Sequence, residues 1–312
     1  MPEPSQTTIA AAAARIAPHI RRTPVLRMAG ADLGLDMPLI LKLELLQASG
    51  SFKPRGAFNR MLSVAVPPAG VVTASGGNHG AAVAYAARAL GHRAEVFCPL
   101  PTPVAKTSRI EAYGAILHRV GAAYDEARIA SEARAAATGA LLVHAYDQPE
   151  ILAGQGSVAL ELAEDAPEVT HVLVATGGGG LIGGIAGWYA GTGVQVISVE
   201  PESCPTLHTA LREGRPVPAP VGGLAADSLG ARQVGALSFA VARDHVAMAV
   251  LVPDAAIAEA QRRLFDALRL VAEPGGATAL AALICGAFTP PPGARVAVVL
   301  CGSNTDPAKL AG

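Results

Sequence analysis

The sequence predicts an α/β protein built from parallel sheets covered by helices on both faces. Three observations carry this reading. Short apolar runs alternate with helical runs along the 312-residue chain. Glycine clusters stand where an apolar run gives way to a helical one. The apolar runs also lack the every-other-residue polarity of strands with a solvent face, and strands buried on both faces belong to parallel sheets between helices.

Taken in order, residues 6–20 read as an Ala-rich helix stopped near Pro18, and residues 38–45 as a strand. Residues 71–73 form a short apolar strand running into Ser75, Gly76, Gly77, Asn78, His79 and Gly80. The helical run 81–90 and the apolar strand 94–98 follow, which makes a βαβ unit. Helices over 102–113 and 124–138, each followed by an apolar segment (115–120 and 141–144), repeat the pattern. After a helix over 152–164, the strand 171–175 enters Thr176 and four glycines, then a helix over 181–189 and a strand over 194–199. The strand 246–252, helices over 254–270 and 276–285, and the strand 295–300 complete the alternation. Pro216, Pro218 and Pro220, and Pro290 to Pro292, read as rigid surface connections.

Composition narrows the function. Hydrophobic residues make up 51% of the chain, ample for a buried core. Charged residues are 16%, below the roughly 25% of an ordinary soluble domain. The formal net charge is -1 and no block of like charge occurs, so the electrostatic footprint of a nucleic-acid or membrane-surface binder is missing. A small molecule is the expected partner. Cys98, Cys204, Cys285 and Cys301 are scattered singly, without the spacing of a disulfide framework or a zinc site. A reducing, cytoplasmic compartment is therefore expected. The apolar patch 9–14 lacks a basic lead and is interrupted by Arg15, unlike a signal peptide, and no stretch approaches a membrane span.

Chemistry concentrates at two places. Gly177, Gly178, Gly179 and Gly180 stand between a predicted strand and a predicted helix. Without Cβ atoms, N–H groups there converge on an anion and the helix adds the positive end of its dipole, so a phosphate fits. A plain flexible turn is the alternative. The same stretch spells a second pattern, because Gly178, Gly180 and Gly183 match G-x-G-x-x-G and Glu200 closes the next strand, where an acid would hold a ribose. Alone, this motif leaves a dinucleotide and another phosphorylated cofactor both open.

The second place is Lys53, set in Ser49, Gly50, Ser51, Phe52, Lys53, Pro54, Arg55 and Gly56. A solvated lysine needs no such frame, whereas a Schiff-base lysine is held in one position with its charge suppressed. The frame suits a nucleophile, although a surface loop is the commoner place for lysine.

Five motifs in register resemble the serine/threonine dehydratase and serine racemase family, which is fold type II among pyridoxal-phosphate enzymes. They are the Ser51 to Gly56 segment, the Ser75 to Gly80 segment, Gly177 to Gly180 with Leu181, the run Glu273, Pro274, Gly275, Gly276, and the run Cys301, Gly302, Ser303, Asn304. The likeness extends over about residues 22–306. It implies a two-domain homodimer in which a small mobile domain, 62–142, is inserted into a large cofactor-binding domain formed by 1–61 and 143–312. The cofactor implied is pyridoxal 5'-phosphate. The reaction implied is β-elimination of water from a small β-hydroxy amino acid such as L-threonine or L-serine, giving a 2-oxo acid and ammonia.

Residue by residue, the resemblance implies that Lys53 carries the cofactor as a Schiff base and then removes the Cα proton. Gly177, Gly178, Gly179, Gly180 and Leu181 would hold the phosphate, Asn78 the ring hydroxyl, and Phe52 and Glu273 would lie beside the ring. Ser75, Gly76, Gly77, Asn78 and His79 would seize the substrate carboxylate, Ser75 with its hydroxyl as well. Gly223, within 222–225, would line the substrate β-carbon. The departing hydroxyl would take its proton through the cofactor phosphate. Arg55 is read as structural, and His79 as shaping its loop.

Three departures qualify the likeness. Racemising members carry a serine as second base where this chain has Gly76, so racemase activity is not expected. Cys301 stands where most relatives place a serine against the pyridine nitrogen; a thiol is a weak partner, which would leave that nitrogen unprotonated. Glu200 resembles the start of a cation site in some relatives, but Thr206 stands where a second carboxylate would be needed, so no metal is expected. No regulatory domain is expected after Asp306. The rivals are a lyase for phenylserine, 3-hydroxyaspartate or a cysteine derivative, an amino acid racemase, an NAD-dependent dehydrogenase, and a non-catalytic binder of phosphorylated ligands.

Overall fold

The computed structural model describes residues 4–310; residues 1–3 and 311–312, the ends of the expected large domain, lie outside the described residues. Helix α1 (Gln6–Ile16) starts at a capping box between Ser5 and Thr8. It ends before the predicted limit of residue 20, since Pro18 lacks an N–H and crowds the preceding turn. Strands β1 (Val25–Ala29) and β2 (Pro38–Lys42) pair antiparallel, Val25 opposite Lys42. Strand β1 was not legible in the sequence, because its residues alternate between partial burial and exposure. The strand expected over 38–45 stops at Lys42, where Glu44–Leu46 turns in a 3-10 helix.

Helix α2 (Pro54–Leu62) leads to a four-stranded sheet. Its strands are β3 (Val71–Ala74), β4 (Ala94–Cys98), β5 (Ile116–Arg119) and β6 (Leu141–Leu142), with helices α3 (Asn78–Ala89), α4 (Val104–Ala112) and α5 (Tyr124–Thr138) between them. The spatial order is β5-β4-β3-β6 and all pairings are parallel. Next come α6 (Pro149–Asp165), β7 (His171–Ala175), α7 (Gly180–Tyr189), β8 (Gln195–Pro201), α8 (Thr206–Glu213), α9 (Ala226–Leu229), α10 (Ala236–His245), β9 (Met248–Val252), α11 (Asp254–Leu268), α12 (Pro274–Ile284) and β10 (Val296–Val299).

The second sheet has the order β1-β2-β10-β7-β8-β9. Strand β10 lies parallel to both β2 and β7, Val296 standing opposite Leu39 and His171. Chain beginning and chain end are thus neighbours in one sheet. Helix α7, backed by α6 and α10, and helix α12, backed by α11, both pack on this sheet. Its core of Val, Ile, Leu and Ala side chains is distinct from the core of Phe58, Val71, Val96 and Ile110 that joins the smaller sheet to its helices. The expected α/β class, with parallel sheets flanked by helices, is what the chain forms; β1 is its one antiparallel departure among the described strands.

Three turns leave the carboxyl ends of strands toward one crevice: Ser75 to Gly77 after β3, Thr176 to Gly179 after β7, and Leu300 to Gly302 after β10. Open parallel sheets bind ligands outside such ends, because the following helices present free N–H groups there.

Candidate active site

Lys53 sits one residue before α2, with Pro54 at the first helical position, where its missing N–H costs nothing. Its Nζ donates to the Ala145 carbonyl at 2.9 Å and stands 5.1 Å from the centre of the Phe52 ring. Desolvation pushes the ammonium down to about 8, against a weaker opposing pull from Cys301 and Glu273. A lysine so placed holds an uncharged amine within reach of neutral pH, which a nucleophile or base requires.

Across the pocket, the glycine turn between β7 and α7 is packed too closely for side chains. A Cβ at Gly177 would lie 2.8 Å from the Leu229 carbonyl oxygen, one at Gly178 would enter the Tyr146 ring, and one at Gly179 would lie 2.6 Å from Ser238 Cβ. Gly179 also has φ of 95°, open to glycine at no cost. Bare backbone and the first turn of α7 form a cradle that suits a phosphate.

Phe52, Lys53, Asn78, Gly177, Gly178, Gly179, Gly180, Leu181, Glu273 and Cys301 all line this one pocket. The structure thus brings together every residue expected at the cofactor. Asn78 Nδ2 donates to Glu273 Oε1 at 2.5 Å, and Asn304 Nδ2 donates to Asn78 Oδ1 at 2.6 Å, which fixes the amide orientation. Glu273 occupies the N-cap position of α12 without capping it. Burial pushes its carboxyl up to about 7, opposed by the Asn78 bond. Burial likewise raises the Cys301 thiol above its ordinary range, so the group is neutral, and its Sγ donates to the Gly275 carbonyl at 3.4 Å. Tyr146, Thr176 and Ser228 line the same pocket and were missed; Tyr146 and Ser228 lie outside any glycine-rich motif and give no sequence signal, whereas Thr176, next to Gly177, could have been read with the glycine turn.

The loop expected at the substrate carboxylate starts α3. Ser75 N–H donates to the Phe97 carbonyl at 2.9 Å, and Ser75 Oγ accepts from the Gly77 N–H at 3.2 Å. His79 is buried, its Nε2 lies 3.1 Å from the Val143 carbonyl, and burial pushes its pKa down to about 3. The ring is neutral, and His79 does not line the cofactor pocket. At Gly76, a Cβ would collide with Thr102 Cγ2 and stand 3.2 Å from Cys98 Cβ. Gly77 and Asn78 face a larger cavity next to the cofactor pocket.

Two expectations need correction. Gly223 lines neither cavity; its α-carbon faces Ser203 and Asp254, and its neighbour Leu224 reaches the larger cavity instead. A one-residue shift in a loop without periodicity explains the miss. Glu200 is fully buried and accepts from the N–H groups of Leu207 and His208, both at 2.7 Å, at the start of α8. It is a helix cap, so it reaches no ribose, and Thr206 Oγ1 donates to the Ala231 carbonyl at 2.8 Å. Among the described residues, no group of three or more His, Cys, Asp or Glu could hold a metal ion.

Behind Lys53 lies an ion cluster that sequence reasoning resolved only at Arg55. Arg55 is fully buried and bonds Glu44 at 2.7 and 2.8 Å and Glu161 at 2.7 and 2.8 Å. Lys42 Nζ reaches Glu161 at 2.6 Å and the Thr23 carbonyl at 2.8 Å. Burial acts against the Arg55 charge, but Glu44 and Glu161 outweigh it and raise its pKa. Two cations and two anions balance, so helix α2 is anchored by a neutral, satisfied set.

The comparisons agree with this geometry. Residues 16–302 match the family model described as pyridoxal-phosphate dependent enzyme. The chain is 38% identical over 304 residues to an L-threonine ammonia-lyase of Geobacter sulfurreducens, covering 96% of this chain and 75% of the relative. It is 38% identical over 316 residues to a phenylserine dehydratase of Ralstonia pickettii, covering 99% and 95%. The structure of maize serine racemase superposes with a TM-score of 0.92 at 32% identity, covering 98% of this chain and 95% of that one. The chain therefore belongs to the pyridoxal-phosphate-dependent enzymes, within the serine/threonine dehydratase and serine racemase group that its motifs resemble, and its cofactor is pyridoxal phosphate.

Proposed function

We propose that the protein is an ammonia-lyase that eliminates water from a 3-hydroxy amino acid, L-threonine and L-serine being the simplest members, to give a 2-oxo acid and ammonia. The observation that carries this reading is Lys53, an amine lowered to about 8 at the mouth of a helix, facing the glycine cradle across one pocket. Its relatives include a threonine ammonia-lyase and a phenylserine dehydratase.

Bound pyridoxal phosphate supplies an electron sink that acidifies the substrate Cα. Lys53 would hold the cofactor through its Nζ, and its neutral amine would take the substrate Cα proton. The amides of Gly177 to Gly180 and the start of α7 hold the phosphate. Asn78, fixed by Glu273 and Asn304, positions the ring hydroxyl, and the loop Ser75 to His79 receives the substrate carboxylate. Gly76 offers no second base on the other face. The neutral thiol of Cys301, on the pocket wall, would offer the ring nitrogen no ion pair, which would favour prompt departure of the β-hydroxyl. The unit 62–142 acts as a mobile domain that closes over the segments 1–61 and 143–312 and excludes water.

The four cysteines are free and no described helix is long and apolar enough to cross a membrane. The cytoplasm is the compartment these thiols suit, and a homodimer is the assembly the family resemblance implies; sedimentation of the holoenzyme tests the latter.

The experiment is the visible spectrum of the purified protein before and after borohydride, beside Lys53→Ala. A Schiff-base band that is lost on reduction and missing from the variant supports the assignment. A colourless protein that also fails to take up added pyridoxal phosphate would refute it. In the same spectra, Cys301→Ser places a stronger hydrogen-bond donor at the pocket wall and is expected to move the band. An unmoved band with unchanged turnover reduces Cys301 to packing.

A further inference from the structure

The cavity next to the carboxylate loop is larger than threonine needs. Its volume is about 600 Å³, within the roughly 300–1,000 Å³ typical of sites for whole organic ligands, whereas threonine offers only a hydroxyl and a methyl at Cβ. The cavity is not a gap between separated walls. Lys106 of α4 meets Asp227 of α9 at 2.7 Å, and Arg109 of α4 bonds Asn304 after β10, so the space persists while the two sides already touch.

Ala81, Pro103 and Ala105 form one wall, and Leu224, Ala258 and Pro274 the other. The cations on its lining are engaged: Lys106 by Asp227, Arg109 by Asn304, and Arg262 by Glu259 at 2.7 Å and Asp266 at 2.9 Å. A second carboxylate would compete with Asp227 for Lys106 and with Glu259 and Asp266 for Arg262. An uncharged ring could cover the alanine, proline and leucine surfaces, while Asp227, Glu273 and Asp306 on the same lining disfavour a second carboxylate.

We propose that this cavity is a β-substituent pocket and that the preferred substrates are 3-hydroxy amino acids with a bulky, uncharged, aryl-class group at Cβ. The proposal rests on the elimination reading above and names its substrate class. The reaction stays redox-neutral: the Cα proton and the β-hydroxyl leave as water, one water hydrolyses the resulting imine, and the arylserine becomes a 3-aryl-2-oxopropanoate and ammonium.

The test is oxo acid formation by the holoenzyme from L-threonine, L-serine, L-threo-phenylserine and L-threo-3-hydroxyaspartate. Burying a ring is expected to raise kcat/KM for phenylserine about ten-fold or more over threonine, with hydroxyaspartate below threonine. Ala81→Leu fills the inner wall and is expected to lower the phenylserine-to-threonine ratio. Ala105→Leu, on the exposed rim, does the same if Ala81→Leu does not fold. A higher kcat/KM for threonine or hydroxyaspartate than for phenylserine, or an unmoved ratio in folded variants, overturns the pocket assignment. Failure with all four substrates overturns the elimination reading instead.

Discussion

At the scale of the residue, we propose that Gly76 favours elimination over racemisation. Racemisation needs a base on each face of Cα, and the face opposite Lys53 has no side chain at this position. The structure adds a second obstacle, because Thr102 and Cys98 occupy the volume a side chain would enter. Restoring a serine is therefore not expected to restore a second base. Gly76→Ser should yield no D-serine from L-serine by chiral chromatography, and should lose about 1–3 kcal/mol in urea unfolding from overpacking. Thr102→Ala in the same chain relieves the crowding and should recover part of that loss. D-serine from the single variant at undiminished stability would show that the loop has room for a working base.

At the scale of the element, helix α2 shows how the site is held and why the sequence half-conceals it. Glycines and proline around Lys53 are local signals, and so are the strand-to-helix turns that place Gly177 to Gly180 and Ser75 to His79; all were legible. The cluster beneath α2 was not, because Lys42, Glu44, Arg55 and Glu161 come from β2, a 3-10 turn, α2 and α6. A buried ion cluster written across four elements looks like four ordinary charges. Helices α2, α8, α9 and α10 were also unread; none has a side-chain cap, but neither have α3 to α6, which their alternation with apolar strands made legible. Strand β1 has no continuous apolar run. Removing Arg55 leaves Glu44 and Glu161 buried without their partner, so Arg55→Ala should cost about 3–5 kcal/mol in denaturant unfolding. Arg22, half-exposed in its pairs with Glu164 and Asp165, should cost under about 1 kcal/mol when changed to alanine. Equal losses at the two positions would mean that the cluster does not anchor the helix.

At the scale of the whole molecule, the pocket walls come from two sheets with separate cores, and the chain crosses between them after α2 and before α6. Side chains on the smaller sheet's side meet the larger one near the cavity through Lys106 with Asp227 and Arg109 with Asn304, all at least partly exposed to solvent. Screened contacts of that kind are worth little individually. If the unit 62–142 moves as proposed, a bound ligand that touches both the Ser75 to His79 loop and the glycine turn is expected to favour the closed arrangement. Hydrogen exchange on the cofactor-loaded protein reads this directly. An amino acid without a β leaving group, added at saturation, should slow exchange in α4 and at the start of α3 while leaving α6, packed against α1, α2 and α7, unchanged. If protection spreads evenly through both sheets, or α4 does not respond, the unit 62–142 moves with the rest of the chain, and water must be excluded by the substrate filling the pocket rather than by closure.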